Sequence, residues 1–139
     1  MIFQINEKLQ EVIDCSWFTI DKGTYAYTKV KEINDVTKHL IITQDSDEIT
    51  VVTDIENLNN LGDYERNAEN WKLINIRCGN PFYCVGFLAA ISSLTAINNL
   101  DITMTSTYTN DYIMCKEGEL DKCKDLLISL GFSMRSSRT

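Results

Sequence analysis

The segment from Trp71 to Asn98 constrains the fold most, because its hydrophobic period changes part-way along. Trp71–Cys78 alternates between two faces, one of them apolar, which predicts a strand. After the break at Gly79-Asn80-Pro81, Phe82–Asn98 is apolar nearly all round, which predicts a helix buried on more than one side. A strand followed by such a helix requires a sheet against which the helix can pack.

The residues after this helix predict two more strands, a second helix and a final short strand. The strands are Ile102–Thr107 and Tyr112–Cys115, and the turn-like Thr109-Asn110-Asp111 lies between them. Apolar residues at helical spacing mark the second helix, which ends before Gly131. The order strand, helix, strand, strand, helix, strand is the split βαβ pattern.

The first half of the chain predicts a shorter version of the same order. Thr24–Val30 is rich in aromatic and β-branched residues and predicts a strand. A short helix, a hairpin of Leu40–Thr43 with Glu48–Thr53, and a helical turn at Ile55–Leu61 follow, before a polar loop over residues 62–70. The predicted organisation is an N-terminal arm or short helix (1–22), a first unit (23–70), a second unit (71–134) and a tail (135–139).

The predicted fold class is therefore α+β. It consists of two ferredoxin-like βαββαβ units, with antiparallel sheets and helices packed on one face. No internal sequence repeat supports the duplication, which depends on the order of elements alone.

Charge and hydropathy exclude several classes of partner. The net charge is −7, so the surface should repel nucleic acid and anionic lipid, and we expect neither as a partner. No run approaches the roughly 18 apolar residues that span a bilayer. The N-terminus lacks the basic-then-apolar pattern of a signal peptide, so a cytoplasmic location is expected.

The reactive residue types predict neither an enzyme nor a metal site. The five cysteines form no C-x-x-C pair and are far from the only histidine, His39, so we expect no metal, no cofactor and no disulfide framework. Most of the cysteines are expected to behave as small buried apolar residues. Cys84, close to the predicted helix start, remains an alternative as a redox-sensing thiol. There is no catalytic triad, Walker loop or G-x-G-x-x-G motif.

A set of short motifs in the second half carries a family resemblance. They are Trp71–Ile76, Gly79, Phe82, Gly86–Ala89, Ser106–Tyr108 and Asp111–Ile113. Together they resemble a small ACT-domain family, whose bacterial members have a tryptophan-led strand and an S-T-Y-x-T-D-Y segment. The animal cytosolic arginine sensors contain related modules. Gly23–Ala26 and Glu48–Val52 resemble the first half of the same proteins, so the resemblance covers about residues 23–134.

The resemblance implies tandem ACT-like units, no catalytic machinery, and a small-molecule ligand, usually an amino acid, bound at a module or subunit interface. It also implies a homodimer. Three positions depart from the family pattern. Pro81 stands where the family has Asp, Val85 where Thr is usual, and Asn110 where Thr precedes Asp111. These departures leave open a ligand different from that of the relatives, or none.

We predict a ligand site centred on Asp111, whose carboxylate can pair with an ammonium or guanidinium group. Backbone N–H groups at the predicted helix start, near Phe82 and Tyr83, can bind a carboxylate. Each residue also has an ordinary structural alternative, such as hairpin shaping for Asp111, helix packing for Gly86 and a strand position for Tyr108. The predicted ligand-binding residues are Asp111, Thr107, Tyr108, Thr109, Asn110, Phe82, Gly86 and Phe87.

The sequence thus predicts a non-catalytic regulatory protein that senses an amino acid or similar small molecule. The alternative is an assembly module without a ligand, which pairs with itself or with a metabolic enzyme.

Overall fold

The computed structural model describes residues 3–136, which divide into two units. The larger unit comprises the described residues up to Lys22 and from Lys72 onward, and the smaller unit comprises Gly23–Trp71. In chain order the helices and strands are α1 (Glu7–Asp14), β1 (Trp17–Ile20), β2 (Tyr25–Val30), β3 (Ile41–Gln44), β4 (Ile49–Asp54), β5 (Tyr64–Arg66), β6 (Trp71–Arg77), α2 (Phe87–Ile97), β7 (Ile102–Ser106), β8 (Asp111–Lys116), α3 (Leu120–Leu130) and β9 (Ser133–Met134).

The sheet of the larger unit has the strand order β7-β8-β6-β1-β9. β7 pairs antiparallel with β8, β1 pairs antiparallel with β6, and β9 lies parallel to β1. From β6 onward the elements run strand, helix, strand, strand, helix, strand, as the sequence predicts. The predicted α+β class with a ferredoxin-like order of elements is confirmed.

Residues 3–22 form a helix and a strand of the larger unit. Asn6 caps α1, because its Oδ1 accepts a hydrogen bond of 2.8 Å from the Leu9 N–H. β1 then lies between β6 and β9, in the middle of the sheet. Residues 1–22 are predicted to form an arm or a short helix. In the structure, residues 3–22 supply a strand of the sheet as well as a helix.

The helices α1, α2 and α3 contribute to one core with the sheet. Phe18 pairs with Ile76 across β1 and β6, and both side chains are fully buried in this core. Since side chains alternate along a strand, this face of the two strands is apolar, whereas the other face mixes polar Asn75 and Arg77 with apolar Trp17 and Leu73. The core residues are Leu9, Val12, Ile13, Phe18, Ile74, Ile76, Phe87, Ala90, Ile91, Leu100, Ile113, Cys115, Cys123, Leu127 and Phe132.

The predicted helix from Phe82 to Asn98 begins five residues later than expected, at Phe87. Gly86, just before it, has φ of +83°, which an α-helix cannot contain. Asn80 does not cap the helix. Its Oδ1 instead accepts a 3.1 Å hydrogen bond from the Phe82 N–H within the preceding loop.

The smaller unit has the strand order β3-β4-β2-β5. The predicted hairpin is present as β3 and β4, and its turn is closed by Asp45 Oδ1, which accepts hydrogen bonds from the Asp47 and Glu48 N–H groups. The two predicted short helices are single 3-10 segments, Val36–Lys38 and Ile55–Asn60. The polar loop predicted over residues 62–70 contains a strand, β5, which pairs with β2. Its three residues are all exposed, so hydrophobic periodicity gives no signal for it.

Two features concern the chain ends and the membrane. The predicted tail of residues 135–139 is described only as far as Ser136, and the rest lies outside the described residues. Across residues 3–136, no helix combines the length and apolar character that crossing a bilayer requires.

Candidate ligand site

The hairpin of β7 and β8 fixes the position of Asp111. Ser106 and Asp111 are cross-strand partners at the turn end of this hairpin, and the Ser106 hydroxyl donates a 2.6 Å hydrogen bond to Asp111 Oδ1. Asp111 shares its strand face with Ile113, which is buried in the core beneath the helices. The half-buried carboxylate therefore lies on the helix side of the sheet, at its edge.

The turn between these strands is held by its own hydrogen bonds. The Thr107 N–H donates to the Asn110 carbonyl at 2.7 Å, and the Thr107 hydroxyl accepts from the Asn110 N–H at 3.0 Å. Thr107 therefore stabilises the turn through its hydrogen bonds to Asn110. Its predicted role as a ligand-binding residue stays a prediction. Tyr108 and Thr109, at the tip, have exposed side chains.

The β6–α2 loop, residues 78–86, supplies the other predicted half of the site. Two of its backbone donors are already hydrogen-bonded, because the Phe82 N–H donates to the Asn80 side chain and the Tyr83 N–H donates to the Asn80 carbonyl at 3.2 Å. These are the groups predicted to hold a ligand carboxylate, so they are not available in this conformation. The Phe82 side chain is 96% exposed.

Asp111 acts electrostatically on the start of this loop. Burial, the hydrogen bond to Cys84 and, to a smaller extent, the negative charges of Cys84 and Asp111 together raise the pKa of the Cys78 thiol to about 11. Asp111 is the first residue of β8, which pairs with β6, and Cys78 directly follows β6, so the hairpin and the β6–α2 loop belong to neighbouring strands of the larger unit.

The family comparison covers this region. The model of the ACT domain family matches residues 67–129, which include β6, the β6–α2 loop, the β7–β8 hairpin and most of α3. Residues 67–129, fewer than half of the chain, thus resemble an ACT domain. No curated protein sequence matches the chain.

Several solved structures share the fold of this chain. A Vibrio cholerae protein of unknown function, considered a possible transport protein, has a TM-score of 0.78 at 15% identity, with 90% of this chain and 97% of that chain covered. An Agrobacterium tumefaciens protein has a TM-score of 0.74 at 21% identity, with coverages of 89% and 95%. A putative C-terminal regulatory domain of aspartate kinase from Porphyromonas gingivalis has a TM-score of 0.54 at 16% identity, with coverages of 86% and 100%. At these identities the likeness establishes the fold alone.

Two predicted ligand residues, Phe87 and Gly86, have packing positions in the structure. Phe87 is 1% exposed, and its ring meets that of Phe132 edge-on with the centroids 5.5 Å apart, so its side chain lies in the core. A Cβ added at Gly86 would lie 3.1 Å from side-chain atoms of both Phe3 and Leu9. The missing side chain therefore permits close packing, which is the structural alternative for Gly86.

A pair of thiols that the sequence pattern did not predict lies in the β6–α2 loop. Cys78 Sγ and Cys84 Sγ are 3.2 Å apart, and both thiols lie within hydrogen-bonding distance of the Asn80 carbonyl. Only two of the five cysteines, Cys115 and Cys123, are buried, so the prediction that most of them are buried apolar residues is wrong. Cys15 and Cys84 are exposed, and Cys78 is half-buried. The spacing of Cys78 and Cys84 around Gly79-Asn80-Pro81, a sequence that favours a turn, is the signal that could have indicated the pair.

We expect iodoacetamide to modify the exposed Cys84 well before Cys78 at pH 8. The thiolate is the reactive form, and a pKa of about 11 leaves roughly a thousandth of Cys78 ionised at that pH. The rate at Cys78 should keep rising as the pH approaches 11. Peptide mapping by mass spectrometry after timed quenching measures both rates.

The matched variant for this measurement is Cys84→Ala. It removes the neighbouring thiol that helps to raise the Cys78 pKa, so alkylation of Cys78 should become faster at pH 8. Equal rates for the two thiols in the unmodified sequence would contradict the buried, hydrogen-bonded position of Cys78.

Proposed function

We propose that this chain is a non-catalytic regulatory protein whose ACT domain binds a small ligand, most simply a free amino acid. The half-buried Asp111 carboxylate, which lies beside the β6–α2 loop, is the observation that carries the proposal. The family supports it, because ACT domains are regulatory modules that bind small molecules, as does the fold shared with a putative regulatory domain of aspartate kinase.

Asp111 has the properties that an ammonium-binding group needs. The hydrogen bond from Ser106 fixes the orientation of the carboxylate, and an ionised carboxylate can accept several more hydrogen bonds. A charge-assisted hydrogen bond at such a position contributes about 1.5–3 kcal/mol. The α-ammonium of an amino acid, or a guanidinium group, matches this site.

At the β6–α2 loop the Phe82 and Tyr83 N–H groups already donate to Asn80, so we expect the ligand carboxylate to find its partners elsewhere. A second copy of the chain is the natural source of these partners. Large apolar side chains at the same edge, those of Phe82, Val85 and Tyr108, are exposed. Exposed apolar groups of this kind are typical of a surface that associates with another protein. The proposed state is a homodimer with the ligand bound near its interface.

A thermal-shift screen against the twenty amino acids tests this function. A ligand present at about 100 times its Kd stabilises the folded state by about 2.7 kcal/mol, so the melting temperature should rise for at least one amino acid. Asp111→Asn removes the charge at nearly constant shape and should weaken the binding of that amino acid by about tenfold or more. Asp125→Asn, an exposed position on α3, loses the same charge and should keep the shift.

The second candidate function is an assembly module without a ligand. It is favoured by Pro81, which replaces the family's Asp, and by the loop N–H groups that are already hydrogen-bonded. A dimer in light scattering without a shift for any amino acid would support this second function against the first. A strict monomer at high concentration with no ligand shift would contradict both.

A further inference from the structure

A polar cavity of about 440 Å³ opens on the sheet face of the larger unit that points away from the core. Phe18 and Ile76 pair across β1 and β6 and point into the core, so their neighbours Trp17 and Arg77, which are also cross-strand partners, point to the opposite face. The cavity lies over these outward side chains. Its lining includes Trp17, Asp21, Asn75, Arg77, Asn110 and Arg135.

Two guanidinium groups are held against one indole ring in this cavity. Arg135 Cζ lies 3.8 Å from the centre of the Trp17 ring, and Arg77 Cζ lies 5.7 Å from it. The backbone fixes Arg135 here, because its N–H donates a 2.8 Å hydrogen bond to the Phe18 carbonyl. Cation–π contact orients both guanidinium groups, but it does not use up their N–H donors.

These two cations lack an anionic partner within the described part of the chain. Among residues 3–136, neither Arg77 nor Arg135 forms an ion pair or a hydrogen bond through its guanidinium group. The two guanidinium charges beside the Trp17 ring repel each other, and an anion bound between them would offset this electrostatic repulsion. The pair also stands out because the chain as a whole carries a net charge of −7.

We propose that this cavity, formed by Trp17, Arg77 and Arg135, is a binding site for a small oxyanion, the carboxylate or phosphate group of a metabolite. Arginine suits planar two-point recognition of such groups. The amides of Asn75 and Asn110 supply neutral donors at the side of the cavity. The volume lies within the range of small-molecule sites, about 300–1,000 Å³. Asp21 at the lining adds a negative charge, which favours a singly charged anion or one with a positive group nearby.

The site is separate from the one proposed at Asp111. That carboxylate shares a face with the core residue Ile113, whereas Trp17 and Arg77 are on the opposite face of the sheet. Neither site requires the other, so their tests can fail independently.

The experiment uses the full chain with sodium phosphate, sodium succinate and sodium acetate as separate probes, each compared with sodium chloride at equal ionic strength. We expect phosphate or a carboxylate to raise the melting temperature and to change the tryptophan emission, since Trp17 lies in the cavity. A response to phosphate alone assigns a phosphate group, and a response to the carboxylates assigns a carboxylate. Identical melting curves in all four salts would overturn the proposal.

Variants separate this site from general charge effects. The double variant Arg77→Gln with Arg135→Gln should weaken the binding of the anion that gave the response by about tenfold or more, because both charge-assisted contacts are lost. Lys31→Gln with Lys122→Gln removes the same charge from exposed positions elsewhere and should keep the response. Asp111→Asn should also keep it. An undiminished anion response in the double arginine variant would overturn the proposal.

Discussion

Replacing Phe87 by alanine is expected to destabilise the larger unit by about 3–5 kcal/mol. The ring is 1% exposed and meets Phe132 edge-on, and Phe87 is the first residue of α2. Its loss leaves a cavity beneath the N-terminal turn of the helix, and the left-handed Gly86 just before Phe87 limits how far the chain can collapse into it. Urea denaturation followed by circular dichroism measures the change in the free energy of unfolding.

The matched control for this prediction is Ile97→Ala at the other end of α2. Ile97 is 79% exposed, so its replacement should change the free energy of unfolding by no more than about 0.5 kcal/mol. A loss at Phe87 as small as that at Ile97 would mean that Phe87 does not occupy the core. In that case its predicted role as a ligand residue would have to be considered again.

The order of the elements was predictable because local patterns determine it. Trp71–Cys78 alternates and forms β6, and the apolar spacing before Gly131 predicts α3, which ends at Leu130. Gly131 has φ of +121° and follows the last helical residue, as a glycine stop signal predicts. Strand alternation, helical spacing and a glycine after a helix each depend on a few neighbouring residues, so they can be recognised from the sequence alone.

The start of α2 and the role of β1 could not be predicted in the same way. Hydrophobic periodicity favours a helix from Phe82, and only the positive φ at Gly86 prevents it. β1 has four residues, and its place in the sheet depends on β6, more than fifty positions away in the chain, and on β9 at the other end. Non-local pairing of this kind leaves no short-range pattern in the sequence.

The same distinction separates the two proposed ligand sites. The Ser106–Asp111 hairpin is local, and the family motif that contains it is visible in the sequence. The cavity beside Trp17 depends on the register between β1 and β6 and on Arg135, which follows β9. The amino-acid sequence places these residues far apart, and only the sheet brings them together.

Gly79→Ala is expected to destabilise the larger unit by about 3 kcal/mol, because the site lacks room for a methyl group. An added Cβ would overlap with the carbonyl oxygen and Sγ of Cys15 at the end of α1. The Gly79 N–H also donates a 2.8 Å hydrogen bond to the buried Ser16 hydroxyl, which in turn donates to the Val12 carbonyl. The methyl group either overpacks the contact with Cys15 or pushes the two segments apart and leaves the Ser16 hydroxyl without its hydrogen bond from Gly79. Each effect lowers the free energy of unfolding by about 1–3 kcal/mol.

Gly118→Ala is the control that isolates this steric effect. Among the described residues, no atom outside its neighbours lies within 4 Å of a Cβ built there, so alanine should leave stability unchanged or raise it by up to about 1 kcal/mol.

Gly79 is also the second residue of the β6–α2 loop, so its displacement should shift Cys78 and speed the alkylation of that thiol. Equal stability of the two alanine variants, measured by urea denaturation, would contradict the close approach of α1 to the end of β6. A loss of stability with unchanged Cys78 reactivity would instead place the rearrangement in α1, away from the loop on which the proposed ligand site depends.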